Sequence, residues 1–418
     1  STAPAQQQVK PQTPAPAPSA AVTPAPQDAP IPSWLGPPGR HSPDNFLAVP
    51  YMGIPSARLV IGPEFDDGLR GIAVADLNGD GRKEVALALN NRINIYAVDG
   101  KAFRLLWSSK DQSWEKYSNI LALDAADING NGVAEIFVTS YFGDDANSFV
   151  LEFQEKEWVK IWGHVELFFR VLPNRLGEPV LYAQRGGGTS DEPFAGRVRT
   201  YVARNGDYEP ETDPKLPSGT YIYNFAIGDV RNDGSKQVLQ IDNEHRLRVY
   251  KGGKLKSQPP DRFGGSGVFF DFYPGVVKQT VFSDADVEFE RITVHPRLLI
   301  SDVDEDGKRE LVTVQNTAST TQIFKHLTLY DKSKILALRW GGTGFQILWE
   351  TPNLEGYITD LFFGDLGDGQ GRVLMFALVR PEKLGLMGET SGLFLYRLGA
   401  GGPQPQGART PQLGQVVK

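Results

Sequence analysis

The stretch Ile72-Ala73-Val74-Ala75-Asp76-Leu77-Asn78-Gly79-Asp80-Gly81-Arg82-Lys83-Glu84-Val85-Ala86-Leu87 decides how this 418-residue chain is built. A short apolar run enters a loop of oxygen-bearing side chains, and a second apolar run leaves it. The loop returns as Asp127-Ile128-Asn129-Gly130-Asn131-Gly132-Val133-Ala134-Glu135 and as Asp302-Val303-Asp304-Glu305-Asp306-Gly307-Lys308-Arg309-Glu310. Two worn copies begin at Asp229 and Asp365. In the first, Arg231 stands at the third position and Gln237 at the ninth; the second reads Asp365-Leu366-Gly367-Asp368-Gly369-Gln370-Gly371. Asp76 and Asp127 lie 51 positions apart, and Asp127 and Asp229 lie 102 apart, twice that period. One unit without an acidic loop is therefore expected between them, at residues 167–172 and 177–182. A fixed period of this length means a solenoid or a propeller.

Oxygen side chains at loop positions one, three and five converge when the chain curls. Glycine at six permits the turn, and an acid at nine closes the shell. An oxygen-only donor set of this kind suits Ca²⁺. The candidate ligands are Asp76, Asn78, Asp80 and Glu84; Asp127, Asn129, Asn131 and Glu135; and Asp302, Asp304, Asp306 and Glu310. An EF-hand would need flanking helices and a glutamate at position twelve. Here that position is Leu87, Val138 or Thr313, within runs that read as buried strands. The plainer alternative is an Asx-glycine turn without metal. The three full copies predict two to three structural calcium sites. Charge count ranks the loop at Asp302 first and the loop at Asp127 last. In the worn loop, the Arg231 guanidinium is expected to take the ion's place and pair with Asp229 and Asp233.

Each unit continues with two further strands, as at Arg92–Tyr96 and Phe103–Trp107 after the first loop. The fifth unit is read as Leu327–Tyr330 and Phe345–Trp349. Residues 57–61 form an orphan outer strand, and the last unit ends at Tyr396 lacking one. The N-terminal strand is therefore expected to complete the last blade and close the ring. These loops between strands resemble the FG-GAP/VCBS repeats of integrin α-subunit propellers and of many bacterial exported proteins. Arg262-Phe263-Gly264-Gly265-Ser266 and Phe363-Gly364 are partial echoes of the family's signatures. The resemblance covers roughly residues 57–398. It implies an all-β propeller of four-stranded antiparallel blades whose acidic loops hold structural calcium. Six blades are expected, or seven if residues 263–291 are a compressed blade rather than an inserted hairpin.

Composition frames what the repeat can do. With no cysteine there is no disulfide, thiolate metal site or cysteine nucleophile. A net charge of −7 argues against a general nucleic-acid binder, and no run of about 18 apolar residues reads as a transmembrane segment. Eleven of the 30 prolines fall in residues 1–40, which read as a disordered Pro/Ala tether to an upstream anchor or domain. Residues 41–56 form a lead-in, and residues 399–418 a second disordered tail. This arrangement suggests a module outside the cytoplasm, periplasmic, cell-surface or secreted.

The irregular stretches 143–147, 186–193, 263–291 and 317–326 are the candidate binding loops. Trp107, Trp158, Trp162 and Trp349 fit packing between blades better than a glycan platform. The five histidines (His41, His164, His245, His295 and His326) show no metal spacing, and His245 reads as an exposed turn residue. Asp284, Asp286 and Glu288 fit a solvated strand face. The sequence thus points to a noncatalytic binding module with a protein or glycan ligand on one rim. The alternatives are a propeller enzyme acting on polysaccharide, lyase or glycosidase, and a pure lectin.

Overall fold

The computed structural model describes residues 58–398, apart from 112–118, 143–144, 175, 188–191, 273–289, 319–327 and 382–387. The expected tether, lead-in and tail, the acidic trio at 284–288, most of 317–326, His41 and His326 lie outside the described residues.

Alternation of short apolar runs with tight turns produces six antiparallel blades and, among the described residues, one further two-stranded sheet. Blade 1 runs Gly71–Ala75, Glu84–Ala88, Ile93–Asp99 and Ala102–Ser108. Blade 2 is Asn119–Ala126, Glu135–Phe142, Ser148–Gln154 and Glu157–Val165. Blade 3, the unit without an acidic loop, is Leu167–Pro173, Pro179–Arg185, Arg199–Arg204 and Asp207–Pro210. Blade 4 is Phe225–Gly228, Gln237–Ile241, Leu247–Lys251 and Lys254–Ser257. Blade 5 is Leu299–Ser301, Glu310–Ala318, Tyr330–Trp340 and Phe345–Glu350. Blade 6 begins with Tyr357–Asp365, Arg372–Pro381 and Glu389–Arg397.

The first strands of successive blades touch in a closed circuit, from blade 1 round to blade 6 and back. Arg58–Phe65 pairs antiparallel with Glu389–Arg397, Leu59 opposite Tyr396 and Ile61 opposite Phe394. The N-terminal strand thus supplies the outer strand of blade 6 and covers that sheet's edge, as the sequence predicts. Each blade is covered by its neighbours on both faces, so second strands are largely apolar and buried. All of Glu84–Ala88 is buried, whereas Leu105 on the outermost strand is 51% exposed.

One strand assignment changes. The third strand of blade 5 is Tyr330–Trp340 rather than residues 327–330, because Leu311–Gln315 pairs with Lys334–Leu338. Residues 263–291 do not form a seventh blade: Phe269–Phe272 pairs with Glu290–Thr293 as an inserted two-stranded hairpin. The tryptophans pack between blades. The Trp107 and Trp158 rings lie 5.7 Å apart across blades 1 and 2, and Trp162 lies 5.1 Å from Tyr208 of blade 3. Among the described residues no helix is long and apolar enough to cross a membrane.

Strand order sorts the loops onto two faces. Turns between first and second strands, the acidic loops, fall on one face. Connections between second and third strands, and from one blade to the next, fall on the other. All four irregular stretches are of the latter kind: 143–147 in blade 2, 186–193 in blade 3, 317–326 in blade 5 and the hairpin between blades 4 and 5.

Candidate functional site

The acidic loops curl as their spacing requires. Position-six glycines Gly81, Gly132 and Gly307 have φ of 87°, 90° and 83°, the left-handed region that a side chain resists. The position-one carboxylate gathers the loop's amides. Gly79, Asp80 and Gly81 donate to Asp76 at 2.8–3.1 Å, and Gly130, Asn131 and Gly132 donate to Asp127 at 2.7–3.1 Å. The ninth residue lies beneath the loop, buried, accepting the amide of position two. Leu77 donates to Glu84 at 2.9 Å, Ile128 to Glu135 at 2.8 Å and Val303 to Glu310 at 3.1 Å. Burial, reinforced by Asp80 and Asp76, pushes the Glu84 carboxyl up to about 7. Burial likewise raises Glu135 and Glu310.

The loop at Asp302 differs in one respect. Its Asp302 Oδ1 and Asp304 Oδ1 are buried and without a hydrogen-bond partner among the described residues, although the Asp304 side chain is only 10% exposed. One ligand oxygen each from Asp302, Asp304 and Glu310 lies within 4.8 Å of the others. Carboxylates brought this close, with one buried oxygen each of Asp302 and Asp304 left without a donor, fit a hard cation.

Side chains from third strands enter this face, and the repeat did not reveal them. Arg339 donates to Asp304 at 2.5 Å and to Glu310 at 2.9 Å, and lies 3.2 Å from Asp306. Arg397 donates to Asp368 at 2.6 Å, and Lys251 to Asp233 at 2.9 Å. In blade 2 the entering residue is an acid: buried Glu152 accepts from Asn129 at 2.6 Å and Asn131 at 2.8 Å. Arg231 pairs with one of its two expected partners, Asp233, and not with Asp229. It lies 3.6 Å from Asp233 and 5.2 Å over the Trp340 ring, whereas Asp229 spends its oxygens on the amides of Asp233 and Gly234. Lys251 reaches the space first, from the adjacent strand.

At the ring's centre stands a second cluster that sequence reasoning missed. Arg297, just before blade 5, donates twice to Asp360 of blade 6 at 2.7 Å. It also donates to Asp124 of blade 2 at 3.3 Å and to the carbonyls of Ile72 and Leu123 at 3.0 and 2.9 Å. Asp124 accepts from Arg170 and the Val171 amide of blade 3 at 3.4 and 3.1 Å. Burial alone would lower the Arg297 pKa; Asp360 and Asp124 outweigh it and raise it. Blades 1, 2, 3 and 6 and the segment leading into blade 5 share this one network.

The opposite face carries a cleft of about 620 Å³ between blades 3 and 4. Phe194 and Tyr221, stacked at 5.7 Å, and Ile292 form apolar wall, while Glu192, Arg197, Asp213 and Glu290 bring charge. His295 is buried behind this face, its Nδ1 accepting the Gly265 amide at 3.1 Å. His245 is half-buried rather than exposed, its ring 5.4 Å from that of His295. Burial, and then His245, hold His295 down to about 3.

Residues 76–138, containing the first two acidic loops, match the FG-GAP-like repeat family. This chain is a six-bladed β-propeller carrying an FG-GAP-like repeat. No curated protein matches the propeller in sequence. Among solved structures it is similar to the soluble aldose sugar dehydrogenase of Escherichia coli in its apo form, at 13% identity and TM-score 0.43, covering 82% of this chain and 100% of the other. It is also similar to BBS1N in complex with ARL6DN, soaked with lead, at 9% identity and TM-score 0.40, covering 83% and 99%. A third likeness, at 14% identity and TM-score 0.34, is to the Dos1 propeller, covering 79% and 67%. At these scores nothing of their chemistry carries over.

Within the propeller, the twelve predicted loop residues gather as three separate groups, one in each of blades 1, 2 and 5. The residues that sequence reasoning missed, Glu152, Lys251, Arg339 and Arg397, come from strands whose distance from the loop varies with each insertion. No fixed spacing marks them.

Proposed function

We propose that the propeller is a noncatalytic, calcium-stabilised binding module working outside the cytoplasm, with a protein or glycan ligand on its insertion-bearing face. The observation that carries this reading is the division of the ring. The four irregular stretches all belong to connections at the strand ends opposite the acidic loops, and described residues of two of them, Glu192, Pro193 and Glu290, line the cleft between blades 3 and 4. A rigid scaffold with variable loops gathered at one end is the usual plan of a recognition surface.

Calcium is supported by the unpartnered oxygens of Asp302 and Asp304, which a divalent cation would satisfy. Asp302, Asp304 and Glu310 would hold it, and its work there would be to fix the loop. Such loops fill without tight affinity at millimolar calcium, which favours a location outside the cytoplasm. The noncatalytic reading draws on the centre, where Asp124 and Asp360 are paired with the guanidiniums of Arg170 and Arg297, an arrangement that favours a structural role.

The test is binding of the immobilised full chain to a glycan array and to acidic and neutral polysaccharides. It is run beside Arg197→Glu and Glu290→Lys in the cleft and Asp80→Asn on the acidic face. Binding lost in the cleft variants and kept in Asp80→Asn supports the reading. Binding lost only in Asp80→Asn, or cleavage of a polysaccharide, would sink it.

A further inference from the structure

We infer that the third-strand residue facing loop position nine adjusts the charge of each acidic loop, leaving the three full copies alike at their ligand positions and offsetting the acids of the two worn ones. The inference rests on the proposal that these loops take calcium. Sheet register supplies the rule. Glu84 faces Ala97, Gln237 faces Lys251 and Val373 faces Arg397. One step beyond the pairs Ile136–Leu151 and Leu311–Leu338, Glu135 faces Glu152 and Glu310 faces Arg339. The side chains follow the register, since Arg339 donates to Glu310 itself and Glu152 accepts from two residues of its loop.

Counting that residue with the loop changes the ranking. Blade 1 has Asp76, Asp80 and Glu84 beside a neutral Ala97. Blade 2 has Asp127 and Glu135, to which Glu152 adds a third carboxylate. Blade 5 has four carboxylates, Asp302, Asp304, Asp306 and Glu310, less the guanidinium of Arg339. Counting the ligand positions and the facing residue alone, each full copy thus presents three net negative charges. In blade 4, Arg231 and Lys251 cancel Asp229 and Asp233; in blade 6, Arg397 holds Asp368. Arg339 leaves Asp302 Oδ1 and Asp304 Oδ1 unpartnered, with Asp304 nine-tenths buried, so blade 5 keeps a place for a divalent cation beside its own guanidinium. The worn loops have an internal cation in its stead. Glu152 becomes a member of the blade 2 site that loop spacing alone does not include.

The test is calcium titration by calorimetry and thermal melting of the full chain, in chelator and in saturating calcium, for Arg339→Gln, Glu152→Gln and Ala97→Arg. In chelator, Arg339→Gln should melt about 2–4 °C lower, and Glu152→Gln and Ala97→Arg should each melt higher. On titration, Arg339→Gln should tighten one site about tenfold, and the other two should each weaken one site by as much. Arg339→Lys should restore melting in chelator, which separates charge from a packing defect. Shifts of one common sign in chelator, or no rescue by lysine, would overturn the rule. If the signs hold and the parent chain takes up no calcium, the charge rule stands and the calcium reading falls. If calcium binds and the signs vanish, the reverse is true.

Discussion

The centre of the ring and its acidic face both collect carboxylates, and they satisfy them by opposite means. Asp124 and Asp360 are met by guanidiniums from other blades, Arg297 lying 63 residues from one and 173 from the other. Asp76 and Asp127 are met by amides three to five residues ahead. A carboxylate in a turn can fold its own chain into a partner. One on an innermost strand has only its flat neighbours and must be matched across the ring. The centre is therefore a clamp between blades, and each loop is a local structure with one opening for charge.

The sharpest way to break this comparison is Arg297→Ala. It takes the guanidinium from buried Asp360, leaves Asp124 with that of Arg170 alone, and should cost about 3–5 kcal/mol in denaturant unfolding, with or without calcium. A loss below about 1 kcal/mol would mean that the centre clamps nothing. Next come the loops. Chelator should lower the melting temperature of the parent chain, and Asp302→Ala should cost about 1–3 kcal/mol in calcium. Asp229→Ala should cost less, and equally in chelator, because its loop is closed by amides and neutralised by Lys251. Equal losses at the two positions would erase the difference drawn between loops proposed to take calcium and self-neutralised loops.

Acid should act elsewhere, on the insertion face. The folded pKa of His295, about 3, lies below the ordinary histidine value of 6.5, so the unfolded chain takes up its proton first. Its contribution is whole above pH 6.5 and is lost as pH falls towards 3, at roughly 1 kcal/mol per pH unit. Unfolding measured from pH 7 to pH 4 should therefore show a slope that flattens in His295→Gln. An unchanged slope would remove His295 from the account.

Much of the fold was legible because its information is local. The period of 51 marks the blades, the apolar runs mark second strands, and the unpaired strand at the N-terminus announces its partner in blade 6. The hidden third blade was found by arithmetic alone. The loops were equally plain, since positions one, six and nine act on amides within the same turn. The third strand of blade 5 was misplaced because it follows the 319–327 stretch, where the repeat gives no register.

By itself, then, the sequence determined the repeat, the order of its units and the shape of each acidic loop, all read from residues close in the chain, and it left the ring at six or seven blades. Only the tertiary structure decided what faces those loops and what fills the centre. The ninth position of blade 1 meets a residue 13 positions on, whereas that of blade 5 meets one 29 positions on. Insertions stretch the chain between strands without altering which strands lie side by side. The electrostatics of each loop is therefore set by sheet register, and that of the centre by closure of the whole ring.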